Sequence, residues 1–338
     1  MPAPNLSELA TTTLRARSKT LADNVLRQNA LLSRLKARGK ARPFTGGRTI
    51  MEEIEYGMNG TYTRYSGYQP INIAPSEVFT SAEFPLRQAA VAVSISGLEE
   101  LQNNGESAVI NLLEKRIINA EKTMSNGMAL DVYSDGTAAG QISGLQALVS
   151  TTPTSGTVGG IDRATWEFWR NIKYSATTDG GAAATSGNIQ TYMNRVILQL
   201  VRGNDGPDLI VADNNMYRYF LESMQAIQRI TSPENAKMGF SSLEYLASGR
   251  SISVVLDGGF QGFSSDAANY GIAQGGAPAN TMMILNTDYI YYRPHADRDM
   301  VPLAPDRFSM NQDAMVKLIG WAGNMTISNS RLQGVLTA

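Results

Sequence analysis

Residues Asp131–Asn171 read DVYSDGTAAGQISGLQALVSTTPTSGTVGGIDRATWEFWRN, glycine, serine and threonine first and then three large aromatics within four positions. A glycine-rich stretch ahead of a helix can cradle a phosphate, but that chemistry needs GxGxxG or GxxxxGK[ST] spacing. Gly140, Gly144, Gly156, Gly159 and Gly160 form neither pattern, and no lysine opens the segment that follows. The hydroxyl-rich part is turn chemistry instead. Gly159 and Gly160 predict a chain reversal into a helix capped by Asp162, with Trp166 and Trp169 three apart on one face. Together with Phe168 these two rings are expected to anchor a core.

Upstream, GESAVINLLEKRIINAEKTMSNGMALDVY (105–133) carries Val109, Leu113, Ile117, Ala120, Met124 and Met128 at three-to-four spacing. That stripe predicts one helix of roughly 40 Å, longer than the globular average. Near the end of the chain, Met315, Ile319, Trp321, Met325 and Ile327 lie at even spacing, predicting a strand of about 45–50 Å over 314–328. Two elements of matching, unusual length imply an elongated part of the molecule. Between them, DLIVAD, SISVVLD and MMILN read as short buried strands, with helices over Asn188–Val201 and, behind an Asn214 cap, Asn214–Ile230. Gly258–Thr281 is long and glycine-rich, a contact loop by composition.

From Ile50 the period is two: Ile54, Tyr56, Met58 and Tyr62 share one parity and Glu53, Glu55, Asn59 and Thr61 the other. A second alternating run, Val91–Val93–Ile95, completes an expected two-stranded excursion that needs another surface to cover it. Residues 5–40 read as a helix stopped by Gly39 and Pro43. Up to Arg48 ten basic residues face only Glu8 and Asp23, an excess of eight positive charges. Since the whole chain has a formal net charge of −1, the rest carries −9. Such an arm seeks an anionic partner, either nucleic acid or the acidic body of its own or a neighbouring chain.

With no cysteine, disulfides and thiolate metal sites are excluded. No run of eighteen apolar residues predicts a membrane span, and the N-terminus lacks the pattern of a secretory signal. His295 is the single histidine, too little for a metal centre or an acid–base dyad. Asp297 and Asp299 lie near it in sequence, and an enzymatic reading would pair it with Asp213 or Asp257 near strand ends, but no GxSxG, HExxH or phosphate-loop motif supports one. No catalytic residue, metal or cofactor is expected.

The order of these parts resembles a tailed-phage major capsid protein of the Hong Kong 97 type. The most specific local matches are DVYSDGTAAGQISGLQALVS (Asp131–Ser150) and GGIDRATWEFWRN (Gly159–Asn171), and the order of elements matches over essentially the whole chain. The resemblance implies an α+β fold with a basic N-terminal arm (1–48) and an extended β-hairpin loop (49–96). It implies a peripheral domain (97–159 and 306–338) with the spine helix at 105–133, and an α/β axial domain (160–305) whose loop 258–281 holds Phe260, Phe263 and Tyr270. It implies a shell protein that self-assembles into hexamers and pentamers, forming an icosahedral head around double-stranded DNA in the virion after assembly in the host cytoplasm. A separate scaffolding protein and a portal would be its partners, and either non-covalent contacts or a decoration protein would hold the shell.

Arg15, Arg17, Lys19, Arg27, Arg34, Lys36, Arg38, Lys40 and Arg42 would then face DNA, without sequence specificity. Glu52, Glu53, Glu55, Arg64, Tyr65, Tyr68, Arg87, Gln141 and Leu145 would meet neighbouring subunits, as would the segment Ala138–Leu148. Residues 49–96 hold no lysine, so lysine cross-linking from that loop is excluded. The alternative within the same resemblance is an encapsulin-like nanocompartment shell with a protein cargo.

Overall fold

The computed structural model describes residues 29–102, 106–224, 242–247, 249–257, 276–308 and 314–338. The arm enters as α1 (Ala30–Ala37), capped by the Asn29 carboxamide, which accepts from the Leu32 amide at 3.1 Å. Leu31, Leu32 and Leu35 are fully buried, each contributing about 1.5–3 kcal/mol of burial. The chain leaves the helix through Gly39 at φ +66°, the left-handed conformation glycine adopts without penalty. A hairpin follows, β1 (Thr49–Glu55) antiparallel to β2 (Phe79–Pro85), and then β3 (Arg87–Ser96). After the short α2 (Gly97–Gln102) runs α3 (Glu106–Asp131), the 26-residue helix that the periodicity predicts. Ile117, Ala120, Met124 and Met128 are its buried stripe.

The turn residues of Asp131–Asn171 then set the path of the chain. A single turn, α4 (Leu145–Leu148), tucks under the end of α3 through the Leu145 amide, which donates to Val132 O at 2.7 Å. A two-residue ribbon, β4 (Thr157–Val158) and β5 (Ile161–Asp162), reverses at Gly159 and Gly160, at φ +59° and +76°. Asp162 accepts from the Ala164 amide and the Thr165 hydroxyl, closing a local turn rather than capping a helix. In place of the expected helix there is one 3-10 turn (Glu167–Trp169), whose N-cap is Trp166 with no side-chain capping bond.

The remaining elements are β6 (Ile172–Ser175), α5 (Ile189–Leu200), β7 (Leu209–Ala212), α6 (Asn214–Met224), β8 (Ser242–Ala247), β9 (Arg250–Leu256) and β10 (Thr281–Leu285). They are followed by β11 (Ile290–Pro294), β12 (Val301–Phe308), β13 (Ala314–Ile327) and β14 (Gly334–Thr337). The N-cap of α6 is Asp213, whose carboxylate accepts from the Met216 amide, rather than Asn214. Beyond Met224 the expected helix lies outside the described residues.

Six strands form one sheet in the order β6-β14-β10-β7-β9-β8. Alternate residues serve two cores: Ile210, Ala212, Met282 and Ile284 face α5 and α6. Leu209, Val211, Met283 and Leu285 face the core shared with α1, the end of α3 and the second sheet. A sheet covered on both faces explains why its strands read as unbroken apolar runs. The second sheet is built on the 14-residue β13, with β11 and β12 on one side and β3 on the other.

Three sequence expectations change here. β3 pairs with β13 over Arg87–Ser96, so the run Val91–Val93–Ile95 belongs to the second sheet and not to the excursion. The excursion pairs with Phe79–Pro85 instead. Sheet membership also cuts across the expected boundaries: β11 and most of β12, inside 160–305, join the sheet of β13, while β14, inside 306–338, joins the six-stranded sheet. A strand is assigned by the partner that satisfies its backbone, which position in the chain does not reveal.

Candidate functional site

The β1–β2 hairpin has two faces. Ile50, Glu52, Ile54, Ala82 and Phe84 point inward and are buried. Among them Glu52 is held by Arg293 through two bonds, Nε to Oε1 at 2.7 Å and the terminal amine to Oε2 at 3.0 Å, and by the Thr326 hydroxyl at 2.8 Å. Planar guanidinium and carboxylate meet edge to edge, the geometry that compensates a buried charge. The ribbon turn locks the hairpin's other side: Gly159 O accepts from the Glu83 amide at 2.9 Å. A Cβ on Gly159 would sit 2.7 Å from Ala82 Cβ, so both its conformation and its lack of a side chain are required.

Beyond this base the ladder stops. The Tyr56 amide still donates to Val78 O at 3.0 Å, and the segment between them has no helix or strand. Its large side chains project into solvent: Met58 is 92% exposed, Tyr62 83%, Tyr68 fully and Ile73 90%. The parity that predicts a buried face at Met58 and Tyr62 therefore fails past Tyr56. Arg64 and Tyr65 are exposed too.

Where hairpin meets body, Tyr56 stacks on Phe168 at 5.2 Å, and Phe168 contacts Trp166 and Trp169 edge-on. Trp169 is buried, its indole N–H donating to Val158 O at 3.0 Å. Trp166 is 49% exposed, so of the expected triple core anchor Trp169 is buried, Phe168 packs partly buried against the core and Trp166 stays at the surface. Two clefts open beside Tyr56 and Phe168. One of about 400 Å³ is lined by Glu55, Glu167, Arg202 and Arg331, and one of about 230 Å³ by Glu77, Phe79, Ile161 and Trp166.

Three cations of the arm, Arg34, Arg38 and Lys40, are engaged by acids of the body. Arg34 Nε reaches Asp208 Oδ2 at 3.1 Å, Arg38 lies 3.2 Å from Asp208 and 3.3 Å from Asp288, and Lys40 lies 3.6 Å from Asp288. Asp208 is fixed from behind by the Thr287 amide and hydroxyl, each at 2.7 Å. Lys40, Arg42 and Arg293 surround the Tyr291 ring at 5.0–5.8 Å from its centroid. Arg42, Phe44 and Tyr292 trade backbone bonds that run the arm beside β11. A second buried joint ties the arm to α3: Tyr133 OH donates to Asp257, whose carboxyl is pushed up by burial and also accepts from the Ala30 amide.

Comparison with solved structures decides what this architecture is. A chain of the Cyanophage A-1(L) capsid asymmetric unit superposes with a TM-score of 0.58 at 16% identity, over 90% of this chain and 92% of that one. The chain has the phage capsid fold. Chains from Mycobacterium phage Bobi (TM-score 0.51, 12% identity, 89% of each chain) and Gordonia phage Cozz (0.51, 11%, 88% and 84%) are also similar. No protein-family model and no curated protein matches the sequence.

Within this capsid fold the residues expected at subunit contacts divide. Glu53 and Glu55 are exposed on the outer hairpin face, and Arg64, Tyr65 and Tyr68 on its extension. Glu52 is not available: it is buried against Arg293 of its own chain. Leu145 is fully buried in the core. Gln141 is half-buried, its side-chain oxygen accepting from the Ala138 amide at 3.3 Å, and Arg87 is half-buried on β3. Of the expected DNA-facing residues, Arg34, Arg38 and Lys40 are tied to acids of the same chain, while Lys36 and Arg42 are exposed. Arg15, Arg17, Lys19 and Arg27, and Phe260, Phe263 and Tyr270, lie outside the described residues.

His295 packs edge-on against Phe44 at 5.1 Å, and its Nδ1 accepts from the Asp297 amide at 3.1 Å. Asp213 is consumed as a cap, accepting also from the Asn280 amide at 2.7 Å. Among the described residues no group of three or more His, Asp or Glu is placed to hold a metal, and no helix is long and apolar enough to cross a membrane. Sequence reasoning missed the Glu52–Arg293 and Asp208–Thr287 joints. Glu52 carried a signal, since it shares the parity of Ile50 and Ile54. Asp208 carried none, because its partners lie in distant segments.

Proposed function

We propose that this chain is the major shell protein of a tailed-phage head, assembling with itself into hexamers and pentamers of an icosahedral capsid in the virion. One observation supports this beyond the fold. The extension 56–78 is anchored at its base by buried pairing, yet presents Met58, Tyr62, Tyr68 and Ile73 to solvent. Several large apolar side chains exposed along one segment are suited to burial against another subunit. Double-stranded DNA inside the shell, a scaffolding protein, a portal and a decoration protein belong to the same reading, as does assembly in the host cytoplasm. The nanocompartment alternative gains no support from the relatives compared above.

Because Tyr56 and Val78 are already bonded, a two-residue Asn-Gly turn can replace residues 57–77 without opening the base. Electron microscopy of the chain assembled with its scaffolding protein and packaged DNA should show closed, nuclease-protected particles. The shortened variant should keep the subunit's melting transition and lose the particles. Closed shells at undiminished yield from that variant would overturn the role of the extension.

A further inference from the structure

The extension carries a polar cluster that its apolar side chains do not explain. Asn59 is followed by Gly60, and both are exposed, as is Ser76 on the returning chain. The Asn59 carboxamide oxygen accepts three hydrogen bonds: from the Thr61 amide at 3.0 Å, the Thr61 hydroxyl at 2.7 Å and the Ser76 hydroxyl at 3.2 Å. The bond to the amide two residues on folds the carboxamide toward the peptide that joins Asn59 to Gly60. Donors gathered on one carbonyl oxygen draw electrons from its carbon and stabilise negative charge that develops there. Ser76 Oγ also accepts from the Gly60 amide at 3.2 Å. One hydroxyl thus bridges an amide nitrogen and the carboxamide which that nitrogen can attack. Gly60, without a Cβ, leaves its nitrogen unhindered. The same dipeptide recurs at Asn126–Gly127, but inside α3, where the Gly127 amide is committed to the helix.

We propose that Asn59, Gly60 and Ser76 form a self-modifying site that converts Asn59 to aspartate or isoaspartate. Gly60 N attacks Asn59 Cγ and an N–Cγ bond forms. The Gly60 proton passes to Ser76 Oγ while the Ser76 proton passes to Asn59 Oδ1. The tetrahedral centre collapses as the Cγ–Nδ2 bond breaks, the Oδ1 proton goes to the departing nitrogen, and ammonia leaves. Water then opens the cyclic imide at either carbonyl, giving aspartate or, with the backbone rerouted through the side chain, isoaspartate. The sum is amide and water to carboxylate and ammonium, so no oxidant, reductant or cofactor takes part. Either product places a carboxylate between Met58 and Tyr62. Burying an unpaired charge is costly, so a converted subunit is a poorer building block; this consequence, unlike the chemistry, rests on the shell reading.

Trypsin releases Thr49–Arg64, a peptide whose only side-chain amide is Asn59. The folded full-length chain is held at neutral pH and digested at intervals. Conversion is read as the mass of the acid form and as methyl transfer by an isoaspartyl methyltransferase. It should run about tenfold faster in the folded chain than in the isolated Thr49–Arg64 peptide, which lacks Ser76; water takes part of the role at an exposed site, so the gain is below that of a sequestered base. Ser76→Ala should bring the folded chain down to the peptide's rate, Gly60→Ala should slow it further, and Asn126 should stay unconverted. A folded chain no faster than the peptide, or a Ser76→Ala chain as fast as the unaltered one, refutes the site. Asn59→Asp, which installs the charge directly, should keep the subunit's melting transition and lower particle yield. Full yield from Asn59→Asp refutes the consequence for assembly. Absence of particles from the unaltered chain, assembled with scaffolding protein and DNA, refutes the shell reading and leaves the chemistry standing.

Discussion

The hairpin base and the extension beyond it are consecutive in the chain, yet have opposite fates. In the base, Ile50, Ile54, Ala82 and Phe84 are buried and Glu52 is neutralised by Arg293. In the extension, Met58, Tyr62, Tyr68 and Ile73 face solvent and the strand ladder has ended. A strand pattern needs a partner for its backbone and a cover for its apolar face. The base has both within the subunit, in β2 and in the sheet of β11 and β13. The extension has neither, so its apolar residues are a resource for contacts outside the subunit.

If this contrast is right, mutations in the base should cost stability and mutations in the extension should cost assembly. The largest loss is expected from Arg293→Met, which leaves Glu52 buried with only the Thr326 hydroxyl, at about 3–5 kcal/mol, read as a fall in the urea midpoint at unchanged slope. A fall smaller than that of a surface substitution would mean that Glu52 escapes to water and that the base is not sealed.

The sheet beneath the base carries a pH dependence. Burial pushes the Asp299 carboxyl up to about 6, whereas an unfolded aspartate titrates near 4. The folded state therefore holds the proton more tightly between these values. Stability should fall as pH rises from about 4 to about 6 and stay lower above, by on the order of 1–3 kcal/mol. Asp299→Asn should flatten that slope and raise the melting temperature at pH 7; an unchanged pH profile would count against the burial.

Gly159→Ala, which forces a side chain into the left-handed conformation and against Ala82, should cost about 1–3 kcal/mol. Thermal melting measures it, and Gly160→Ala is the comparison without the contact. Smallest of all, Tyr68→Ala with Ile73→Ala should move subunit stability by no more than about 0.5 kcal/mol while reducing particle yield. A stability loss in that pair would show that the extension folds back on its own chain.

Periodicity was enough to find α3, β13 and three strands of the six-stranded sheet, β7, β9 and β10, because each repeats its pattern over many residues or is bounded by turn residues; β6, β8 and β14, the other three, were not read as strands. Gly159–Gly160 was legible as a reversal, since few other residues adopt positive φ at both positions. The helix expected after Asp162 reduced to a single turn, because Trp169 turns inward to bond Val158 O while Trp166 stays at the surface. The acids at the hairpin were legible as acids and no further: Glu52, Glu53 and Glu55 look alike in a list of residues, and pleating sends the first inward and the others out.

By itself, then, the sequence determined the unusual lengths of α3 and β13, the absence of disulfides and the charge difference between arm and body, since these depend on local pattern and composition. Only the tertiary structure decided that β3 pairs with β13, that Glu52 meets Arg293, and that Arg34 and Arg38 meet Asp208. Those pairings join residues about 170 to 240 positions apart. They arise because a buried backbone or charged group must find a partner wherever the fold brings one, and spacing along the chain carries no record of that search.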